Sequence, residues 1–235
     1  MPYYGFYFDP TYLLVVIGAV ICLLASARVK TTFHKYDRVR SMSGMTGAQA
    51  AERILHAAGI YDVSIQHVSG NLTDHYDPRH KVLRLSDSTY GSASVAAVGV
   101  AAHECGHAIQ HQHSYLPLMI RGAIVPVANI GSFAAWPLIV IGLFFTSSTG
   151  SFLINIGILC FSFAVLFQLV TLPVEFNASN RAVRILGSTG ILGQEELKGT
   201  RKVLGAAALT YVAGAAASIL QLLRLLILFG GRSDD

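Results

Sequence analysis

The sequence predicts a mainly α-helical, multi-pass membrane protein, with about four transmembrane helices and a small α+β part on the cytoplasmic side. Hydrophobic residues make up 53% of the 235 residues and charged residues only 13%, whereas soluble chains carry about 25% charged residues. The few charges leave long apolar stretches between them. This composition excludes a disordered chain and argues against a soluble globular domain.

Residues 1–27 are predicted to form an N-terminal membrane anchor. No charged residue lies between Asp9 and Arg28, and about 20 apolar residues suffice to cross a bilayer. A cleaved signal peptide needs basic residues before its apolar run. Here they follow it, so we expect an uncleaved anchor. The aromatic residues among the first eight fit an interfacial belt.

Residues 123–172 are predicted to form a transmembrane helical hairpin. No charged residue lies between Arg121 and Glu175, and this stretch is long enough for two crossings. Its Gly- and Ser-containing segment 146–151 is typical of a turn. Residues 203–235 hold a fourth apolar run, interrupted before residue 229 only by Arg224. We expect this C-terminal run to cross the membrane; a partly re-entrant helix is the alternative.

Basic residues flank the predicted spans on one side. They follow the first and third spans, and the hairpin turn has none; they are Arg28, Lys30, Lys35, Arg38 and Arg40, then Arg181, Arg184, Lys198, Arg201 and Lys202. Because Lys and Arg accumulate in cytoplasmic loops, residues 28–122 and 173–202 are predicted to be cytoplasmic. The lipid bilayer accounts for these bases, so the net charge of +4 does not indicate nucleic acid.

Residues 28–122 are predicted to hold two helices and two strands. Thr46 can cap a short helix that ends near Gly59, and residues 63–68 and 81–85 have strand patterns. The segment 94–112 is rich in Ala and Val and predicts a mostly buried helix.

That last helix carries the sequence His103-Glu104-Cys105-Gly106-His107. Histidines at i and i+4 share one helical face, so both imidazoles can bind one Zn²⁺. Zinc lowers the pKa of a bound water and polarises a peptide carbonyl, and Glu104 is placed to act as general base. The alternative is two core histidines beside a buried glutamate. A buried carboxylate costs several kcal/mol unless it is compensated, so the pattern favours a zinc site.

A catalytic zinc needs a third protein ligand, and three residues were candidates. His111 would lie about 12 Å along the helix axis from His103, which is too far for one ion. His113 has the spacing of a metzincin ligand, but that pattern needs a glycine where this chain has Gln110. Glu175 is the first charge after the predicted hairpin, which returns it to the level of the motif helix, and we favour it.

The sequence alone does not decide which residues fill two supporting roles, substrate binding and stabilisation of the tetrahedral intermediate. The strand at 81–85 either binds substrate by edge pairing or is an ordinary sheet strand. A donor for the tetrahedral intermediate is also needed, and the candidates are His75, Tyr76, His80, His113 and Arg181. The three cysteines, Cys22, Cys105 and Cys160, are widely spaced and are interpreted as apolar filling.

The segments H-E-C-G-H-A-I-Q and E-F-N-A-S-N-R-A resemble the YugP-type family of bacterial membrane zinc metallopeptidases, and the likeness covers most of the chain. They are also distantly similar to the HtpX and CAAX-prenyl-protease group. The resemblance implies a zincin-like cytoplasmic part, His103, His107 and Glu175 as zinc ligands, and Glu104 as general base. The wider group has Asp where this chain has Ser179, so Ser179, Asn177 or Asn180 would orient a ligand histidine.

Together these observations predict a zinc endopeptidase of the plasma membrane that cleaves membrane-associated or misfolded polypeptides on the cytoplasmic side. One alternative is an intramembrane-cleaving zinc protease, against which the charges at 79–87 and at Arg121 argue. The other is a non-catalytic membrane scaffold with a structural zinc, which would have no use for Glu104. The natural substrate and the oligomeric state are not predicted.

Overall fold

The computed structural model describes residues 9–145 and 148–230. The aromatic cluster at 1–8, the first two residues of the predicted hairpin turn and the last five residues lie outside the described residues. The elements are α1 (Tyr12–Asp37), α2 (Gly47–Ala57), β1 (Ser64–Val68), β2 (His75–Asp77), β3 (Val82–Ser86), α3 (Val95–Gln112), α4 (Leu116–Leu143), α5 (Ser148–Ser188) and α6 (Gln194–Phe229). The mainly helical class with a small sheet is confirmed.

Four helices, α1, α4, α5 and α6, are long and apolar enough to cross a membrane. They expose large apolar side chains such as Leu23 at 70% and Phe133 at 84%. Soluble monomers rarely leave such surfaces in water, whereas a bilayer solvates them. The prediction of about four apolar helices long enough to span a membrane is therefore confirmed, and the helices indicate a membrane protein.

The chain divides into two compact units, and the first comprises the described parts of residues 1–24, 123–169 and 212–235. Its buried apolar cluster is formed by Ile139, Ile154, Ile158 and Leu225. Glycines let α4 and α5 approach closely: a Cβ on Gly131 would lie 2.7 Å from the carbonyl oxygen of Cys160. Small residues at such positions are typical of membrane helix pairs.

Arg224, the charge that interrupts the fourth apolar run, is compensated within this first unit. Its Nη2 lies 3.2 Å from Oδ2 of Asp9, and its guanidinium stands over the ring of Tyr12, 5.0 Å from the centroid. A charge in an apolar helix is costly without partners. These two contacts explain how α6 carries an arginine near its end.

The second unit comprises residues 25–122 and 170–211 and contains the sheet. The strand order is β1-β3-β2, with β1 and β3 parallel and β2 and β3 antiparallel. The strands predicted at 63–68 and 81–85 are present within one residue, and Thr46 caps α2 in a capping box with Gln49. The strand predicted at 81–85 is β3, the central strand, and both of its edges are already paired. The alternative in which this strand binds substrate by edge pairing is therefore wrong. The edge strand β2 was not predicted.

Helix α3 lies in the core of this second unit. Ser94 begins it by accepting a hydrogen bond from the backbone N–H of Ala97. Its small residues allow close approach to α5, since a Cβ on Gly106 would lie 2.7 Å from the carbonyl oxygen of Ala178. This contact sets the spacing of the motif helix from α5, which carries Glu175.

Candidate active site

Three side chains of metal-ligand type meet between α3 and α5. Nε2 of His103 lies 3.2 Å from Oε2 of Glu175, and Nε2 of His107 lies 3.6 Å from the same oxygen. Two ligands about 2.05 Å from a tetrahedral ion are about 3.3 Å apart, so both spacings suit one zinc ion. The ligand atoms of all three residues lie within 4.8 Å of one another, and in the described part of the chain they form the group that could hold a metal.

Hydrogen bonds on the far side of each imidazole orient both Nε2 atoms toward Glu175. Nδ1 of His107 lies 3.0 Å from Oε1 of Gln110. Because an amide oxygen only accepts, His107 donates from Nδ1 and keeps the lone pair on Nε2. Nδ1 of His103 lies 3.1 Å from Oγ of Ser179, a hydroxyl that can accept from Nδ1–H when Nε2 carries the lone pair. Such partners orient metal-binding histidines, and Ser179 occupies the position where the resembling group has Asp.

Gln110 is a site residue whose role was missed in the sequence. Its side chain is buried, and its Nε2 donates to the carbonyl oxygen of Val174 at 2.8 Å and to Oδ1 of Asn177 at 3.0 Å. Oδ1 of Asn177 also accepts from Nε of Arg181 at 2.7 Å. The available signal was the spacing: Gln110 stands three residues after His107, on the same helical face.

Glu175 is 2% exposed and uses both of its oxygens. Nη1 of Arg121 donates to Oε1 at 3.1 Å, which leaves Oε2 for the two histidines. Burial lowers the pKa of His107, but the hydrogen bond to Glu175 and the charges of Glu104 and Glu175 outweigh this and raise the pKa above its ordinary value. The site therefore has an excess of negative potential, which a divalent cation would neutralise.

Glu104 lines a small cavity together with two of the three ligand-type residues, His103 and Glu175. Its Oε2 accepts a hydrogen bond from the backbone N–H of Tyr76, in β2, at 3.0 Å. The cavity has a volume of about 200 Å³, and His103, Glu104, Glu175 and Tyr211 are among the residues that line it. The phenol of Tyr211 interacts with the Glu175 carboxylate. Tyr211 was not among the donors considered from the sequence, because α6 gave no signal that this residue faces the motif.

The two other candidates for the third metal ligand, His111 and His113, do not belong to the group formed by His103, His107 and Glu175. His113 is the exposed C-cap residue of α3. His111 is exposed, and its Nδ1 lies 2.9 Å from the Tyr76 hydroxyl. Burial and the charges of Asp62 and Asp77 raise the pKa of Tyr76 to about 12, so its phenol stays protonated at neutral pH.

The other candidate donors are engaged elsewhere. His80 pairs with Asp77 at 2.7 Å and is exposed, and Nδ1 of His75 bonds the carbonyl oxygen of Thr73 at 2.9 Å. Arg181 is held by Asn177 and stands over the ring of Tyr115. Asn180 is exposed, and Cys105 is buried with its Sγ 3.6 Å from the carbonyl oxygen of Ala51.

Comparison with known proteins agrees with the resemblance carried by the two sequence segments. The family model described as "Putative neutral zinc metallopeptidase" matches residues 11–230. The chain is 48% identical over 223 residues to "Putative membrane protease YugP" of Bacillus subtilis (strain 168), a match that covers 94% of this chain and 98% of the relative. No solved structure matches the chain. The chain therefore belongs to the neutral zinc metallopeptidase family.

Proposed function

We propose that this chain is a zinc-dependent endopeptidase of the cell membrane that hydrolyses peptide bonds in membrane-associated or misfolded polypeptides. One observation carries the proposal: the ligand atoms of His103, His107 and Glu175 lie within 4.8 Å of one another, and two of these residues, His103 and Glu175, line one cavity with Glu104. Membership of the family supports zinc as the metal. The name of the Bacillus relative supports proteolysis.

The donor set suits zinc better than a hard cation. Two neutral imidazoles and one carboxylate are a common catalytic zinc set, whereas Mg²⁺ and Ca²⁺ prefer oxygen ligands. When bound, zinc would supply Lewis acidity toward a carbonyl oxygen and acidify a water molecule. Gln110 holds His107 in the tautomer that this role requires, and the Ser179 hydroxyl can accept from His103 in the same tautomer.

Glu104 is the proposed general base. Its carboxylate takes the proton of the attacking water as the C–O bond forms, and returns it to the peptide nitrogen as the C–N bond breaks. The hydrogen bond from the Tyr76 backbone occupies Oε2, which leaves Oε1 for the proton transfer. The Tyr211 phenol is the proposed donor to the developing oxyanion, since it lines the cavity with Glu104.

The cavity restricts the substrate that the site can take. A volume of about 200 Å³ accepts a single side chain and no folded element, and its wall includes the apolar residues Val29, Val100 and Leu204. We therefore propose an extended or unfolded segment as substrate, with an apolar residue beside the scissile bond.

The positions of the bases support a cytoplasmic location of the site. Lys and Arg follow the first and third predicted spans, and the residues around the site belong to the same segments, 28–122 and 173–202. We propose the cytoplasmic face of the plasma membrane as the place of cleavage.

The test compares wild type with Glu104→Gln, purified in detergent with one equivalent of zinc. We expect Glu104→Gln to keep its zinc and to lose cleavage of an unfolded test protein by about 100-fold or more. Glu52→Gln, which removes an exposed acid on α2, is the matched control and should cleave like wild type. If Glu104→Gln cleaves as fast as wild type, the proposed hydrolysis is wrong. A zinc-loaded wild type that cleaves nothing would instead favour a structural zinc in a scaffold.

A further inference from the structure

A second concave site lies between α1 and α6, and it shares no lining residue with the cavity at Glu104. Its volume is about 590 Å³. Helix α1 contributes residues at a helical spacing of three or four, and α6 contributes a facing row with the same spacing. We call this site the basic groove; it is lined by Arg28, Thr32, Lys35, Lys202, Gly205 and Leu209, among others.

Three cations, Arg28, Lys35 and Lys202, line the basic groove. Within residues 9–145 and 148–230, no ion pair joins Arg28, Lys35 or Lys202 to an acid. The three side chains are exposed, and Nζ of Lys35 stands over the ring of Tyr36, 5.7 Å from its centroid; a long exposed Arg or Lys side chain can turn toward an anion.

The acidic residues closest in sequence to the cations of the groove form hydrogen bonds or ion pairs with other groups. Asp37 accepts a hydrogen bond from Oγ of Ser94 at 2.9 Å. Glu195 pairs with Lys198 at 2.6 Å, and Glu196 accepts from the backbone N–H groups of Met42 and Gly193, each at 2.7 Å. In the described part of the chain, none of these carboxylates forms an ion pair with a cation of the groove, so the three cations can pair with an anionic ligand.

The basic groove has open space for a polar headgroup and an apolar residue beside that space. A Cβ on Gly205 would meet nothing within 4 Å, so the floor is open there. At the other end, the Tyr36 ring packs against Gly199, 2.8 Å from the position of an added Cβ. Leu209 lies on the side from which α6 continues into its apolar run.

We propose that the basic groove binds the phosphate group of an anionic phospholipid. Arg and Lys side chains form charge-assisted hydrogen bonds with phosphate oxygens, and basic pockets between membrane helices suit anionic headgroups. Leu209, an exposed apolar residue of the lining, favours a lipid over free phosphate, because it offers a surface to an acyl chain. The inference does not depend on the proposed hydrolysis.

The test measures retention of phosphatidylglycerol by the purified full chain in neutral detergent, with native mass spectrometry. The variant Arg28→Gln/Lys202→Gln removes two cations from the groove. The matched control Lys30→Gln/Arg201→Gln removes two exposed cations one or two positions away, outside the lining. We expect the groove variant to weaken lipid binding at least about 10-fold and the control to change it less than about 3-fold.

Two further measurements decide what occupies the groove. Zinc content should be the same in all variants, which shows that they fold. Phosphatidylcholine, with no net charge, should bind wild type weakly. Equal retention of phosphatidylglycerol by the two double variants would overturn the proposal, because a general attraction to the positive surface predicts that result. Displacement of the lipid by millimolar inorganic phosphate would also overturn it, by assigning the groove to free phosphate.

Discussion

The substitution Gly106→Ala tests the packing that brings the three ligands together. A Cβ at this position would lie 2.7 Å from the carbonyl oxygen of Ala178 and 3.1 Å from its Cα. Both contacts are to the backbone of α5, which cannot rotate away as a side chain could. Relief to an ordinary contact of 3.4 Å requires about 0.7 Å of separation.

That separation acts directly on the metal site, because Ala178 lies between Glu175 and Ser179 on α5. The ligand spacings of 3.2 and 3.6 Å would increase beyond the tolerance of about 0.2 Å that zinc bonds allow. We expect zinc affinity to fall about 10- to 100-fold. Overpacking of the core should also cost about 1–3 kcal/mol of stability. Competition with a chromophoric chelator measures the affinity, and thermal unfolding measures the stability.

Gly122→Ala is the matched control for this substitution. Gly122 is also a helical glycine, but a Cβ there would meet nothing within 4 Å. We expect it to leave zinc affinity unchanged and to stabilise its helix by about 0.5–1 kcal/mol. Wild-type zinc affinity in Gly106→Ala would refute the reasoning, since it would mean that the spacing of α3 from α5 does not set the ligand geometry.

Three further predictions follow from the contacts of the site and the sheet. Gln110→Ala should lower zinc affinity about 10- to 100-fold, because His107 loses its orienting acceptor; unchanged affinity in chelator competition contradicts this. Tyr211→Phe should keep its zinc but slow cleavage about 10- to 100-fold; lost zinc would mean that the phenol only positions Glu175. Hydrogen bonds from His80 and Arg84 hold the pKa of Asp77 below its ordinary value of 3.8. Its stabilising contribution is therefore present above that value and lost as the pH falls through the folded-state pKa. We expect Asp77→Asn to make the thermal stability depend less on pH in the acid range. An unchanged dependence would mean that the hydrogen bonds of Asp77 are not its cause.

Charge spacing and helix caps were sufficient to predict much of the fold from the sequence. The absence of charge between Arg121 and Glu175 predicted two spans, and Thr46 and Ser94 were correctly placed at the starts of helices. These signals are local, since each depends on residues that are neighbours in the chain. The short strand β2 was missed because its three residues are held by pairing with β3 and by Glu104, contacts that no local pattern encodes.

The residues of the candidate site also fall into two groups, those that a local sequence pattern predicts and those that only tertiary packing brings together. His103, Glu104 and His107 could be predicted because helical periodicity places them together, whereas Glu175 needed an argument about where a hairpin returns. Tyr211 and Arg121 come from two other helices and meet Glu175 only through tertiary packing. Residues of this kind are found by structure, because their sequence context is that of an ordinary membrane helix.

X-ray absorption at the zinc edge of the purified wild type, loaded with one equivalent of zinc, tests the zinc centre most directly. The three-residue site predicts two imidazole nitrogens and one carboxylate oxygen at about 2.0–2.2 Å, with no sulfur. A spectrum with three imidazoles would return His113 to the ligand set and remove Glu175. A sulfur neighbour at about 2.3 Å would place a cysteine on the metal, and either result would contradict the zinc centre described for His103, His107 and Glu175.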